Sequence, residues 1–173
     1  ITNVKIAETP DERGDLLTSA PIITGDLIHK KDIHKAENLD LFACVNAGTG
    51  HLPLEMLSEH DIAVTNASGV HAPNIAEHVL GAILIHVHDF KQAWQQQQSG
   101  LWASYPVSKL QESTVTVVGL GAIGNAVINR LDSFDVDTIG IRYTPEKGGL
   151  TDEILGFEDI DDALARTDYF ILA

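Results

Sequence analysis

The chain has 173 residues, 44% of them hydrophobic, and a formal charge of −14 from 25 acidic and 11 basic side chains. That length holds one sizeable core or two small ones, and so negative a surface excludes nucleic acid and anionic membranes as partners, both being polyanions. With no apolar run long enough to cross a bilayer, the expectation is a globular protein without membrane span or signal peptide, its acidity open to two readings: an acidic cytosolic protein, or one working in concentrated salt that screens the self-repulsion.

Apolar β-type runs alternate with helical patterns from residue 22 onward. Strands are expected over 22–24, 41–45 and 62–65, with helices over 31–37 and 54–59 between them, a βαβαβ pattern that implies a parallel sheet with crossover helices. Cys44, the single cysteine, lies inside the second of these strands, so it staples nothing and reads as a small buried hydrophobe in a reducing cytoplasm. Ala-Gly-Thr-Gly at 47–50 follows the same strand. Successive amides in such a turn form an anion-binding nest suited to a small carboxylate, while glycines 48 and 50 equally suit simple relief of backbone strain. His71 stands at the C-terminal end of the next strand, where open α/β sheets collect ligands.

A long helix is expected over 72–98, with Pro73 in its first turn, where a missing N–H costs nothing. Its middle, 79–87, is apolar nearly all round, which suggests packing between domains or subunits. Residues 100–106 then lead to a second βαβαβ pattern, with strands at 114–118, 138–141 and 169–172 and helices at 123–131 and 160–166. The domain boundary is expected within 98–110. The fold class is therefore α/β, with two Rossmann-like or flavodoxin-like parallel-sheet units.

The segment Val-Thr-Val-Val-Gly-Leu-Gly-Ala-Ile-Gly at 115–124 is the most specific signal. A β-branched strand feeds G-x-G-x-x-G and then an amphipathic helix, the context that makes a phosphate cradle of a glycine-rich turn. Gly119 permits the tight turn, Gly121 lets the backbone approach a pyrophosphate, and Gly124 lets helix pack on strand. The amides and dipole of the helix start hold the anion. The second strand of such a unit ends in an acidic residue when the cofactor is NAD. Here Arg142, Tyr143 and Thr144 follow instead, and Asp137 comes too early. A guanidinium suits a 2′-phosphate by charge and forked geometry, with Thr144 and Lys147 as further donors. NADP is thus favoured over NAD.

The eight histidines do not read as a metal site. His86 and His88 are two apart on a helix and point to different faces, His78 has no partner at i+4, and neither Cys-x-x-Cys nor His-Glu-x-x-His occurs. His29, His34, His51 and His60 lie in polar surroundings and read as surface residues. No Gly-x-Ser-x-Gly marks a serine hydrolase.

Three segments taken in order, Ala-Gly-Thr-Gly-His-Leu-Pro-Leu at 47–54, Asn-Ala-Ser-Gly-Val-His-Ala-Pro-Asn-Ile-Ala-Glu-His at 66–78 and Val-Gly-Leu-Gly-Ala-Ile-Gly at 118–124, resemble the D-isomer-specific 2-hydroxyacid dehydrogenases. The resemblance covers nearly the whole chain. Its most specific part is the Gly-Val-x-x-x-x-Ile-Ala-Glu-His helix start ahead of the nucleotide motif, which argues against an alcohol or amino-acid dehydrogenase. It implies that the amides of Thr49 and Gly50 bind the substrate carboxylate, and that Ala122 and Ile123 lie over the pyrophosphate. It also implies that Arg142 occupies the position of the NAD-preferring members' aspartate. His71 stands where the family usually has Asn, Thr or Ser near cofactor and substrate, so it is expected to alter substrate preference.

The family's catalytic arginine, acidic residue and histidine match nothing in this chain, and a first strand is expected upstream of Ile1. The resemblance therefore implies a piece of a longer enzyme. Residues 1–98 would form an incomplete substrate domain with its linking helix, and residues 107–173 a dinucleotide-binding domain lacking its C-terminal half. The implied activity is hydride transfer between NAD(P)H and a 2-oxo acid by a homodimer joined through the long helix. A nucleotide-sensing, corepressor-like module on the same fold is the competing expectation.

Overall fold

The computed structural model describes residues 4–173. These divide into two compact units that meet in sequence at Val70 and His71. The first unit opens with α1 (Pro10–Ser19), an element that the hydrophobic pattern does not announce because Leu17 is its sole buried residue. Its start is nevertheless written locally. The Thr9 hydroxyl accepts from the Glu12 amide (3.3 Å), and the Glu12 carboxylate accepts from the amides of Glu8 (2.9 Å) and Thr9 (3.2 Å), a capping box that satisfies orphan donors. Those amide bonds hold the Glu12 carboxyl below its ordinary range.

Then follow β1 (Ile22–Gly25), α2 (Lys30–Ile33), β2 (Leu41–Cys44), α3 (Leu54–Glu59) and β3 (Ala63–Thr65). The three strands are parallel in the order β1-β2-β3, with Phe42 of β2 opposite Ile23 and Val64. The alternation read from sequence is thus present, with one difference in α2. Beyond Ile33 the chain runs in tight turns, Ala36 N–H to Ile33 carbonyl (3.0 Å) and Leu39 N–H to Ala36 carbonyl (3.1 Å). That three-residue spacing turns Ile33, Ala36 and Leu39 inward, so the apolar period is kept without an α-helix through 37. Phe42, Leu57, Ile28 and Cys44 are among the other members of this core, and Cys44 is a buried free thiol.

The second unit begins with α4 (Ala72–Val87) and α5 (Phe90–Ser99), where the sequence predicts one helix over 72–98. The interruption is Asp89, left-handed at φ 44°, whose carboxylate accepts from the Gln92 amide (3.2 Å) and so starts a new helix. A second difference concerns membership. Ala76, Ile83 and Val87 of α4 sit in one cluster with Val115, Val117 and Ile128, so α4 is part of the second core, and the units divide at Val70 instead of within 98–110.

The remaining elements are β4 (Thr114–Val118), α6 (Ala122–Leu131), β5 (Asp137–Ile141), β6 (Glu153–Leu155), α7 (Ile160–Arg166) and β7 (Tyr169–Leu172), all strands parallel in the order β6-β5-β4-β7. β6 escapes the sequence pattern because it has three half-buried residues and starts on a glutamate. Its approach is fixed by Asp152, whose carboxylate accepts from the Thr138 amide (2.8 Å) and hydroxyl (2.7 Å) at the start of β5. These two donors hold the Asp152 carboxyl below its ordinary range. Among the described residues, no helix is long and apolar enough to cross a membrane.

Candidate functional site

In the second sheet, β4 is flanked by β5 on one side and by β7 on the other. The order of strands therefore reverses at β4, and the crevice beyond the carboxyl ends of β4 and β7 is where an open parallel sheet takes a ligand. Residues 119–121 make the turn from β4 into α6, and Ala122, Ile123 and Gly124 open the helix. Gly119 is left-handed at φ 93°, and a Cβ there would stand 2.6 Å from the Ala173 carbonyl oxygen. A Cβ on Gly124 would collide with the Gly119 carbonyl and lie 3.3 Å from Val117 Cγ1. Both glycines are therefore required by conformation or by close approach. Gly121 is different, since a Cβ there would meet nothing within 4 Å. It is exposed, as is Ala122; the space beside it is open to a ligand.

The first intrahelical bond of α6 runs from the Asn125 amide to the Gly121 carbonyl (3.0 Å). The amides of Ala122, Ile123 and Gly124 thus begin the helix without intrahelical acceptors. No acidic side chain occupies that first turn, so the partial positive charge of the helix start is unopposed locally. Free amides at a helix start are the kind of group that an anion such as a pyrophosphate accepts from.

Beyond β5 lies the segment expected to read the ribose. Arg142 is half-buried, and its Nη1 donates to the Gly148 carbonyl (2.7 Å), while its Nε is buried without a partner. Part of the guanidinium is therefore engaged by its own loop. Tyr143 is 86% exposed and stacks on Phe157 with centroids 4.2 Å apart at 22°. Thr144 starts the 3-10 turn Pro145–Lys147, its carbonyl accepting from the Lys147 amide (3.0 Å).

In the first unit, the turn after β2 carries Thr49 and Gly50. Neither Gly48 nor Gly50 has a positive φ, and a Cβ at either would meet nothing within 4 Å. Backbone strain is thus no reason for these glycines, whereas room for a ligand against the amides is consistent with them. The turn is braced by two side chains that the sequence reading leaves without a role. His51 Nε2 donates to the Asp26 carbonyl (2.7 Å) after β1, and Asn66 Nδ2 donates to the Ala47 carbonyl (2.7 Å) from beyond β3. Pairings 25 and 19 residues apart have no local sequence signal. His71, first residue of the second unit, is the exposed N-cap of α4 and makes no side-chain cap bond.

The reversal of strand order at β4 and the glycine cradle together define a dinucleotide-binding α/β protein. The sequence profile described as "D-isomer specific 2-hydroxyacid dehydrogenase, NAD binding domain" matches residues 80–173, more than half of the chain. The chain belongs to the D-isomer-specific 2-hydroxyacid dehydrogenase family. It is 36% identical over 114 residues to formate dehydrogenase 1 of Saccharomyces cerevisiae, covering 62% of this chain and 30% of that protein. To D-3-phosphoglycerate dehydrogenase of Methanocaldococcus jannaschii it is 29% identical over 152 residues, 86% of this chain and 29% of the relative. The crystal structure of a D-isomer specific 2-hydroxyacid dehydrogenase family protein from Aeromonas salmonicida superposes with a TM-score of 0.78 at 23% identity, covering 96% of this chain and 54% of that one. The chain thus spans about a third of the length of these two curated relatives.

Proposed function

We propose that the protein carrying this chain interconverts 2-oxo acids and D-2-hydroxy acids by hydride transfer with a nicotinamide dinucleotide. The observation that supports this most is the cradle of Gly119, Gly121, Ala122, Ile123 and Gly124 at the β4 switch point, in a chain of this family. When bound, the nicotinamide supplies or accepts the hydride. The chain's own contribution is binding and orientation. The open amides of α6 hold the pyrophosphate, and the nest at Thr49 and Gly50 holds the substrate carboxylate, with His71 tuning substrate preference. The family's proton-moving histidine and its acidic partner find no match in these 173 residues, so the roles assigned here are those of positioning. On this reading the first unit serves the substrate and the second the dinucleotide.

The cofactor is NADP in preference to NAD. Arg142 carries a buried Nε with no acceptor, and a 2′-phosphate beside it, within reach of Thr144 and Tyr143, supplies one. In the full-length protein, NADPH- and NADH-dependent reduction of short 2-oxo acids tests both statements. Arg142→Asp is expected to weaken NADPH relative to NADH by tenfold or more, the loss of one or two charge-assisted bonds being worth about 1.5–3 kcal/mol each. An unchanged NADPH to NADH ratio would refute the phosphate contact. Binding of the dinucleotide without turnover on any 2-oxo acid would instead support a nucleotide-sensing module.

The partner is a second copy. α4 turns Ala76, Ile83 and Val87 inward yet leaves Ile85 outside, and Phe90, Trp94, Leu101 and the fully exposed Trp102 follow it. Exposed large apolar side chains following one another along this segment suit a homodimer face. Gel filtration of the full-length protein as a monomer would overturn this. The buried, unpaired Cys44 suits a cytoplasmic protein.

A further inference from the structure

Among the described residues no three His, Cys, Asp or Glu side chains converge to hold a metal. Two histidines of the first unit nevertheless meet. His34 is the C-cap of α2 and His60 the C-cap of α3. Although 26 residues apart, they bring His34 Nδ1 and His60 Nε2 to 3.3 Å. The ring centroids are 5.1 Å apart and the planes are inclined at 64°. The other nitrogen of His60, Nδ1, lies 2.9 Å from the Met56 carbonyl. A carbonyl only accepts, so Nδ1 carries the proton and Nε2 turns its lone pair toward His34.

We propose that His34 and His60 form a two-imidazole site for a borderline divalent transition ion such as zinc, with water completing the coordination. Two imidazole nitrogens at about 2.05 Å from one tetrahedral ion stand about 3.3 Å apart, and their ring centroids about 5.2 Å apart. Both observed separations agree with that geometry. In the free protein His34 Nδ1–H donates to His60 Nε2. The ion takes the place of that proton, and His34 carries its own on Nε2 instead, so a neutral pair needs no net proton loss. The Met56 carbonyl is the outer partner that metal-binding histidines require to fix tautomer and ring orientation. Both rings are exposed, so a hydrated ion reaches them, and the charge of −14 concentrates cations near the surface. Imidazole is a ligand class that zinc, nickel and copper share. The sequence conceals the pair because neither histidine has a partner at helical spacing. This inference does not rest on the dehydrogenase reading.

The experiment titrates the full-length protein, freed of metal by a chelator, with zinc chloride, reading heat by calorimetry and imidazole nitrogens by NMR. A single saturable site is expected, with the His34 Nδ1 and His60 Nε2 resonances moving together. His34→Gln and His60→Gln each lower the affinity by about tenfold or more, because one imidazole on a hydrated ion is a weak ligand, while His29→Gln leaves it unchanged. The His34 ring makes no other hydrogen bond among the described residues, so His34→Gln tests the site without disturbing the Met56 contact. Wild-type affinity in either variant, or zinc-induced shifts confined to other histidines, would overturn the proposal.

Discussion

Gly124→Val is expected to lower the affinity of the full-length protein for NADPH and NADH by about a hundredfold or more, with visible loss of stability. The new Cβ would fall on the Gly119 carbonyl, and that carbonyl has nowhere to go. Gly119 donates its own amide to the Ile141 carbonyl (2.9 Å), is left-handed, and lies against the Ala173 carbonyl. The start of α6 must therefore lift from β4. Overpacking of this kind costs about 1–3 kcal/mol in a well-packed site, and where the strain is relieved by displacing the helix start it appears as lost affinity, a hundredfold being about 2.7 kcal/mol. Titration of cofactor fluorescence beside a thermal melt measures both effects. Gly121→Ala separates them, because nothing in the protein opposes its Cβ. It is expected to melt like the wild type and yet to bind the dinucleotide more weakly. Wild-type binding by Gly124→Val would mean that the cradle does not hold the cofactor.

Phe42→Ala is expected to destabilise the first unit by about 3–5 kcal/mol, the usual cost of emptying an aromatic core position. Phe42 is 0% exposed, sits on the central strand β2 between Ile23 and Val64, and is the largest side chain wholly enclosed. Urea denaturation followed by a probe in the first unit reports the shift. A loss under about 1 kcal/mol would show that the core collapses around the gap. The turn bearing Thr49 and Gly50 extends from the same strand, so that turn should loosen with it.

The chain displays its architecture where one physical signal suffices. The continuous β-branched run at 114–118 and the Thr-Ile-Gly-Ile run at 138–141 become buried parallel strands because both faces are covered, and the glycines at 119 and 124 mark the turn because no other residue fits there. Elements defined by a few bonds are harder to read. β6 has no apolar period, and its place depends on Asp152 meeting Thr138, 14 residues away. The Asp89 break in the long helix comes from one carboxylate capping Gln92, a local bond that no hydrophobic pattern announces. α1 is the opposite case, since Thr-Pro-Asp-Glu at 9–12 is a local capping signature that hydrophobic periodicity alone overlooks. At the site, the residue types and their spacing are legible but the engagement of each is not. That Arg142 spends one arm on Gly148 while its Nε stays unpartnered depends on the fold of a loop that begins only after it.

The membership of α4 bears on how such a protein can be taken apart and recombined. A joint within 98–110, where composition suggests one, would carry Ala76, Ile83 and Val87 away from Val115, Val117 and Ile128 and leave the nucleotide-type sheet with a bare apolar face. A joint between Val70 and His71 leaves every hydrophobic cluster whole. Exchange of the first unit among relatives therefore keeps the covering helix with the second unit, and a chimaera joined within 98–110 would inherit an open core.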